Sequence, residues 1–160
     1  MRLLLSVLCC ALLASTGAHA AVDRILIEKA ARRMTLYDGD AVIAGYRIAL
    51  GFAPLGDKTR QGDGKTPEGR YRIVLKNPKS QFHLSLKVSY PDAEDRAGAA
   101  ARGLDPGGDI FIHGTPGRDD PYGAGEPIRD WTLGCIAVTN AEIEEIWRLV
   151  SVGTAVEITP

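Results

Sequence analysis

The most reactive chemistry in this chain sits in one stretch, residues 108–140, GDIFIHGTPGRDDPYGAGEPIRDWTLGCIAVTN. An apolar run, Ile110 to Ile112, leads to His113 and Gly114, and a second, Ile136 to Val138, follows Thr132-Leu133-Gly134-Cys135. Two strand ends would thus bring an imidazole and a thiol together. A free cysteine, with a pKa of about 8.5, is only a few per cent thiolate at neutral pH. A neighbouring imidazole can take the proton, stabilise the thiolate and return the proton to a leaving amine. Gly134 lets backbone approach a substrate closely, and amides around 134–135 could donate to a tetrahedral oxyanion. The same residues also admit a plain reading, a buried free cysteine and a satisfied core histidine.

The cysteine count narrows the choice. Residues 1–20 have the pattern of a secretory signal: Arg2, an apolar run from Leu3 to Leu13 that holds Cys9 and Cys10, then Ala18-His19-Ala20 as a small-x-small cleavage site. Eleven apolar-to-small residues are too few to span a bilayer. Cleavage after Ala20 is expected in preference to lipid attachment at Cys9 or Cys10, and Cys135 would then be the only cysteine left. An unpaired thiol exported to an oxidising space points to reactivity, with burial as the alternative shield.

His113-Gly114, a loop, and then Thr132-x-Gly134-Cys135 resembles the signature of the L,D-transpeptidase catalytic domain family (YkuD-like), cysteine enzymes that remodel peptidoglycan. A second element similar to the family's lies upstream, Thr66-Pro67-Glu68-Gly69-Arg70-Tyr71. The resemblance covers most of the chain after residue 23 and is closest to small single-domain periplasmic members. It departs at Leu133, where many members carry histidine, and at Ala137, where a polar residue is common.

The resemblance implies Cys135 as nucleophile, His113 as the proton shuttle, and the Gly114 carbonyl as the group that holds the imidazole, with no metal and no cofactor. Thr132, Leu133, Arg129 and Tyr122 are the expected substrate contacts. The implied reaction is attack on the L-centre carbonyl of the third stem residue, loss of the terminal D-residue, and a thioester resolved by an amine. Leu133 is expected to keep water from one side of the site, favouring transfer. The family's susceptibility to carbapenems implies a covalent adduct on Cys135. Hydrolysis of the same thioester would make an L,D-carboxypeptidase, or an amidase that releases a peptidoglycan-linked protein. A non-catalytic wall-binding module would leave Cys135 unreactive. A papain-like peptidase fits less well, because there the cysteine precedes the histidine.

The remaining chain must position these groups. Removing 20 of the 160 residues leaves 140, room for one domain with a real core, and moves the net charge from −1 to −2. That balance gives no reason to propose nucleic acid or an anionic membrane as partner; peptidoglycan stem peptides are the expected partner, met by a periplasmic monomer with no membrane span after cleavage. Residues 57–87 hold eight Lys/Arg against three Asp/Glu, and 92–126 hold eight Asp/Glu against three Arg, which reads as two solvated or mutually paired faces. The sharper alternative is a basic strip that holds stem carboxylates.

Strands are expected at 23–28, 33–37 and, after the Asp38-Gly39 turn, Ala41 to Leu50. Residues 51–69 form a long loop without apolar period, followed by strands at 70–75 and 84–90. His83 is expected to be a structural or surface residue. Asp92 should cap a short helix over 93–102, ended by Gly103. Thr139-x-x-Glu142 has capping-box spacing, and Ile143, Ile146, Trp147 and Val150 recur at helix period, so that face, Trp147 included, should be core. Gly153 should end that helix before a last strand at 154–158. The expected fold is mainly β, two packed mixed sheets with one C-terminal helix and a short one near 93–102. Loop 115–131, rich in Gly, Pro and charge, is expected to act as a lid or substrate wall.

Overall fold

A computed structural model describes residues 22–116 and 129–160. The expected signal at 1–20, including Cys9 and Cys10, and most of the expected lid, including Tyr122, lie outside the described residues.

The fold is mainly β. β1 (Val22–Glu28), β2 (Arg33–Asp38) and β3 (Ala41–Arg47) form the antiparallel meander expected from their alternation. β4 (Gly69–Ser80), β5 (His83–Val88), β6 (Phe111–His113), β7 (Ile136–Ala137) and β8 (Val150–Thr159) complete a sheet ordered β3-β2-β1-β8-β4-β5-β6-β7. β4 belongs to both halves, and its register shifts at Ile73/Leu75 and Asn77/Ser80, where bulges let a strand bend. Each half is mixed: β1 runs parallel to β8, and β6 parallel to β7. Ile25, Ile27 and Leu36 from one half meet Leu86, Ile112 and Ile136 from the other in one core.

Two helices close the arrangement. α1 (Ala93–Ala100) starts at Asp92, whose side chain accepts from the amides of Glu94 and Asp95 while the Asp95 carboxylate accepts from the Asp92 amide. α2 (Asn140–Leu149) starts with the reciprocal Thr139–Glu142 box and lies against β5 and β8, burying Ile143 and Ile146. Trp147 packs on the core rim rather than inside it, half-buried, with the Lys76 ammonium 4.7 Å from its ring centroid.

Several boundaries differ from expectation: β4 runs on to Ser80, past the expected 70–75, α1 stops at Ala100 rather than 102, and β5 ends at Val88 rather than 90. Gly153 does not end α2: the helix stops at Leu149 and β8 begins at once with Val150 in extended conformation, so Gly153, at φ +97°, lies inside the strand. β-branched residues at 150 and 152 favour extended backbone over another helical turn. The run expected to continue β3 to Leu50 instead leaves β2 after Arg47. Ala49 exchanges two 2.9 Å backbone hydrogen bonds with Ala137, and Gly51 bridges Thr132. The segment therefore covers the open edge of β7.

Loop 51–68 is irregular yet tightly held. The buried Lys29 ammonium donates to Gly56 O at 2.7 Å and Thr66 O at 2.9 Å, and pairs with Glu68 at 2.7 Å. Asp63 organises the other half, accepting from Lys58 Nζ and the amides of Thr59, Arg60 and Lys65. Burial alone would raise the Asp63 pKa; the lysine and the three amides outweigh it and bring the value to about 2, from an ordinary 3.8.

Two outcomes follow. Ile112 is fully buried directly before His113, so Ile112→Ala should lower unfolding free energy by about 2–5 kcal/mol in denaturant titration. Because the folded Asp63 pKa lies below its unfolded value, the stability it contributes is present above about 3.8 and lost as pH falls towards 2. Asp63→Asn should be less stable at pH 7 and show a shallower acid limb in that window; an unchanged limb would locate the acid sensitivity elsewhere.

Candidate active site

Strand register places the imidazole and the thiol on one face. In β6 and β7 Ile112 pairs with Ile136 and His113 with Ala137. Counting back two along the pleat, Cys135 falls beside Phe111, on the same side as His113 and one row away, a diagonal that long side chains span. Ser85 of β5 is the other neighbour of His113. His113 and Cys135 both line a cleft of about 350 Å³ bounded by Ser80, Ser85 and Phe111, and a second of about 570 Å³ bounded by Gly108, Trp131 and Leu133. Phe82 and Asp109 border both clefts, so the pair sits at their junction.

His113 is 3 % exposed and its orientation is constrained on every side. Its Nδ1 lies 2.7 Å from Gly114 O. A carbonyl can only accept, so Nδ1 carries the proton and Nε2 keeps a lone pair. The ring lies 4.5 Å from the Phe82 ring and 5.7 Å from that of Trp131, centroid to centroid. Gly114 has no room for a side chain: a Cβ there would come 2.4 Å from Asn140 Oδ1 and 3.1 Å from Phe82 O. Asn140, the first residue of α2, accepts from the Thr115 amide at 2.8 Å, which ties the turn after His113 to the helix.

The thiol turn is built by Thr132, whose hydroxyl donates to Cys135 O at 2.7 Å and accepts from the Gly134 amide at 3.1 Å. Gly134 is at φ +132°, and a Cβ there would meet Lys65 O at 2.6 Å, so both backbone and space demand glycine. The upstream Thr66-Pro67-Glu68-Gly69 element is thereby tied to the site: Thr66, fully buried, accepts the Gly51 amide beside the thiol turn. Cys135 Sγ donates to Asp109 O at 3.5 Å.

Electrostatics favour the neutral form of both groups in the free protein. Burial lowers the His113 pKa below 6.5 against the opposing pull of the Gly114 carbonyl. Burial also raises the Cys135 pKa above 9.0, and the Asp109 carboxylate adds to that rise, while a backbone hydrogen bond at Phe111 and the Lys58 charge oppose it. The resting pair is thus a thiol and an imidazole rather than an ion pair.

The other expected contacts divide. Leu133 projects from the mouth of the larger cleft, 75 % exposed, so it shields nothing until a ligand lies against it. The Thr132 hydroxyl is engaged inside the turn. Arg129 is exposed and is not on the walls of either cleft, whereas its neighbour Asp130 accepts from Arg32 through both carboxylate oxygens and accepts the Leu50 amide at 2.9 Å. His83 is at the surface with Glu144, 2.7 Å away. Of the charge asymmetry, Lys87 and Asp109 form a pair between the basic and acidic stretches at 2.6 Å. Among the described residues no three His, Cys, Asp or Glu side chains converge as metal ligands, and no helix is long and apolar enough to cross a membrane.

Phe82, Asp109 and Asp130 had no distinguishing mark in the sequence. Trp131 adjoins the Thr132-x-Gly134-Cys135 motif, and that adjacency was the one signal available for any of these four residues.

The fold and sequence have relatives among known proteins. YafK of Escherichia coli K12 is 31 % identical over 133 residues, 79 % of this chain and 46 % of YafK. The chain spans about half the length of the curated relatives it matches. Among solved structures, the helical cell shape determining protein Pgp2 of Campylobacter jejuni (K307A mutant) superposes with a TM-score of 0.66 at 28 % identity, over 86 % of this chain and 46 % of that one. An L,D-transpeptidase from Xylanimonas cellulosilytica shares the fold, with a TM-score of 0.58 at 15 % identity, over 88 % of this chain and 61 % of that one. The model of the L,D-transpeptidase catalytic domain matches residues 22–158, nearly all of what the structure describes, and the chain belongs to that family.

Proposed function

We propose that the protein is a periplasmic cysteine L,D-transpeptidase that acts on peptidoglycan stem peptides. The observation that carries this reading is the shared position of Cys135 and His113 at the junction of two clefts, with Nδ1 engaged and Nε2 left as a base. A transferase has to hold two substrates on either side of one sulfur, and two clefts supply that room.

The reaction runs as follows. An acyl donor fills one cleft and displaces water, and the Cys135 thiol passes its proton to His113 Nε2 as sulfur attacks the carbonyl of the third stem residue. The Gly134 amide is occupied by Thr132, so the Cys135 amide is the group we assign to the oxyanion. His113 then protonates the departing D-residue amine, leaving a thioester. An acceptor amine enters by the other cleft, attacks the thioester, loses its proton to His113, and releases the thiol. Thr132 and Gly134 hold the turn, Gly114 holds the base, and Leu133 offers an apolar contact to the bound stem.

Since Leu133 is exposed, water reaches the thioester whenever the acceptor cleft is empty. Hydrolysis should therefore compete with transfer, and the partition should follow acceptor concentration.

Acylation by a carbapenem, read by intact mass, should add one adduct to the wild type and none to Cys135→Ala. A folded wild type of unchanged mass would remove Cys135 from the role of nucleophile. His113→Gln should slow acylation by about 10²–10⁴, whereas His83→Gln should cost little. The neutral resting pair fixes the pH profile: acylation should be level between roughly 6.5 and 9, fall on the acid side as His113 takes a second proton, and turn only above the raised thiol pKa. A maximum confined below pH 6 would contradict that assignment.

A further inference from the structure

The outward face of the first sheet half carries a feature that the reaction does not use. Across β1, β8 and β4, Arg24 pairs with Ala155 and Arg72 pairs with the same Ala155, so two arginines flank a methyl group in one row. Strand spacing puts their backbones about 9.5 Å apart. Arg70 and Glu157 form the next row, with a 3.7 Å contact between them. The small side chain of Ala155 leaves a cleft of about 450 Å³ between the arginines, with Ser89 on its wall.

Both flanking guanidiniums are held in place. That of Arg24 lies 3.9 Å above the Tyr37 ring centroid, and Arg72 donates to Gly153 O at 3.1 Å. Fixed forks with unsatisfied donors match planar carboxylates better than mobile lysines would. Three arginines stand against one glutamate, so the cleft is net positive in a chain whose formal charge is −1. Neither described helix lines this cleft: α2 packs on β5 and β8 through the buried Ile143 and Ile146, and α1 borders the adjoining cleft on the far side of Arg70.

We infer that the Arg24–Ala155–Arg72 cleft is a second, non-catalytic site that binds carboxylates of the peptidoglycan polymer. The identity of the polymer rests on the reading given under Proposed function. Charge complementarity supplies the rest: the polymer repeats carboxylates along its stems, and an enzyme that consumes one stem while gripping another stays on an insoluble substrate. The site lies in the β1-β8-β4 part of the sheet, away from β6 and β7, so it binds without entering the catalytic clefts.

The test is co-sedimentation of the full chain with purified, protein-free sacculi at about 50 mM and 300 mM salt. Binding should weaken with salt. The double variant Arg24→Gln/Arg72→Gln should bind about tenfold more weakly, the worth of one charge-assisted hydrogen bond, and with a smaller salt dependence. Ala155→Glu, which places an acid between intact arginines, should lose binding to a similar extent; because it keeps Arg24 on Tyr37, it guards against a folding artefact. Carbapenem acylation of Cys135 in the same samples should be unchanged in all variants. Undiminished sedimentation of either variant would overturn the site, as would parallel loss of acylation. Equal arginine-dependent binding to phosphatidylglycerol vesicles would overturn the choice of peptidoglycan. A wild type that sediments through its arginines but is never acylated would leave the site standing while removing the enzymatic reading.

Discussion

Three backbones meet behind the thiol with nothing between them, and the site depends on that contact. A Cβ on Gly51 would come 2.1 Å from Gly64 O and 3.1 Å from Gly134 Cα, and one on Gly134 would meet Lys65 O. The amides brought in by this approach are paired: Gly51 with Thr66 Oγ1, Phe52 with Thr132 O, Ala53 with Gly64 O. Leaving such groups buried and unpaired would cost about 1–3 kcal/mol each, so loop 51–68 can press against the thiol turn only in this register. Lys29 and Asp63 hold that loop from two ends. The thiol is thus located by a loop distant in sequence, whose Lys58, Gln61 and Gly62 also line the larger cleft.

The same enclosure sets the electrostatics. Burial lowers one pKa and raises the other, and both shifts favour the uncharged pair. A thiol kept protonated until a substrate arrives is less open to oxidation than a standing thiolate. Under the proposed mechanism, what makes the thiol reactive is then the base beside it at the moment of attack. That base is oriented by Gly114 O, Phe82 and Trp131 rather than by an acidic side chain.

Much of this was legible from residues. Alternation located β1, β2 and β5; the Thr139 and Asp92 caps located both helices; and the Cys/His pair stood out because its chemistry is rare. Local signals misled where two of them competed. Gly153 resembles a helix stop, yet the β-branched residues at 150 and 152 had already ended α2. Ile48 to Leu50 continues the apolar run of β3, and no local rule says that it changes partner to close β7. The contacts of Phe82, Asp130 and Lys29 join residues 27 to 98 positions apart through the core or across the site, and such long-range pairings leave no periodicity to read. Leu133 shows the limit for a single side chain: its apolar character was plain, its exposure was not.

The central claim, that Cys135 forms a thioester with a peptidoglycan stem and passes it to an amine, is tested most directly by incubating purified peptidoglycan with the protein and weighing the digested products. The account predicts stems that have lost the terminal D-residue and are joined through the third residue to an added or neighbouring amine, with Cys135→Ala giving neither change. Products identical to the untreated material, from folded protein that the same preparation shows to be intact, would contradict it.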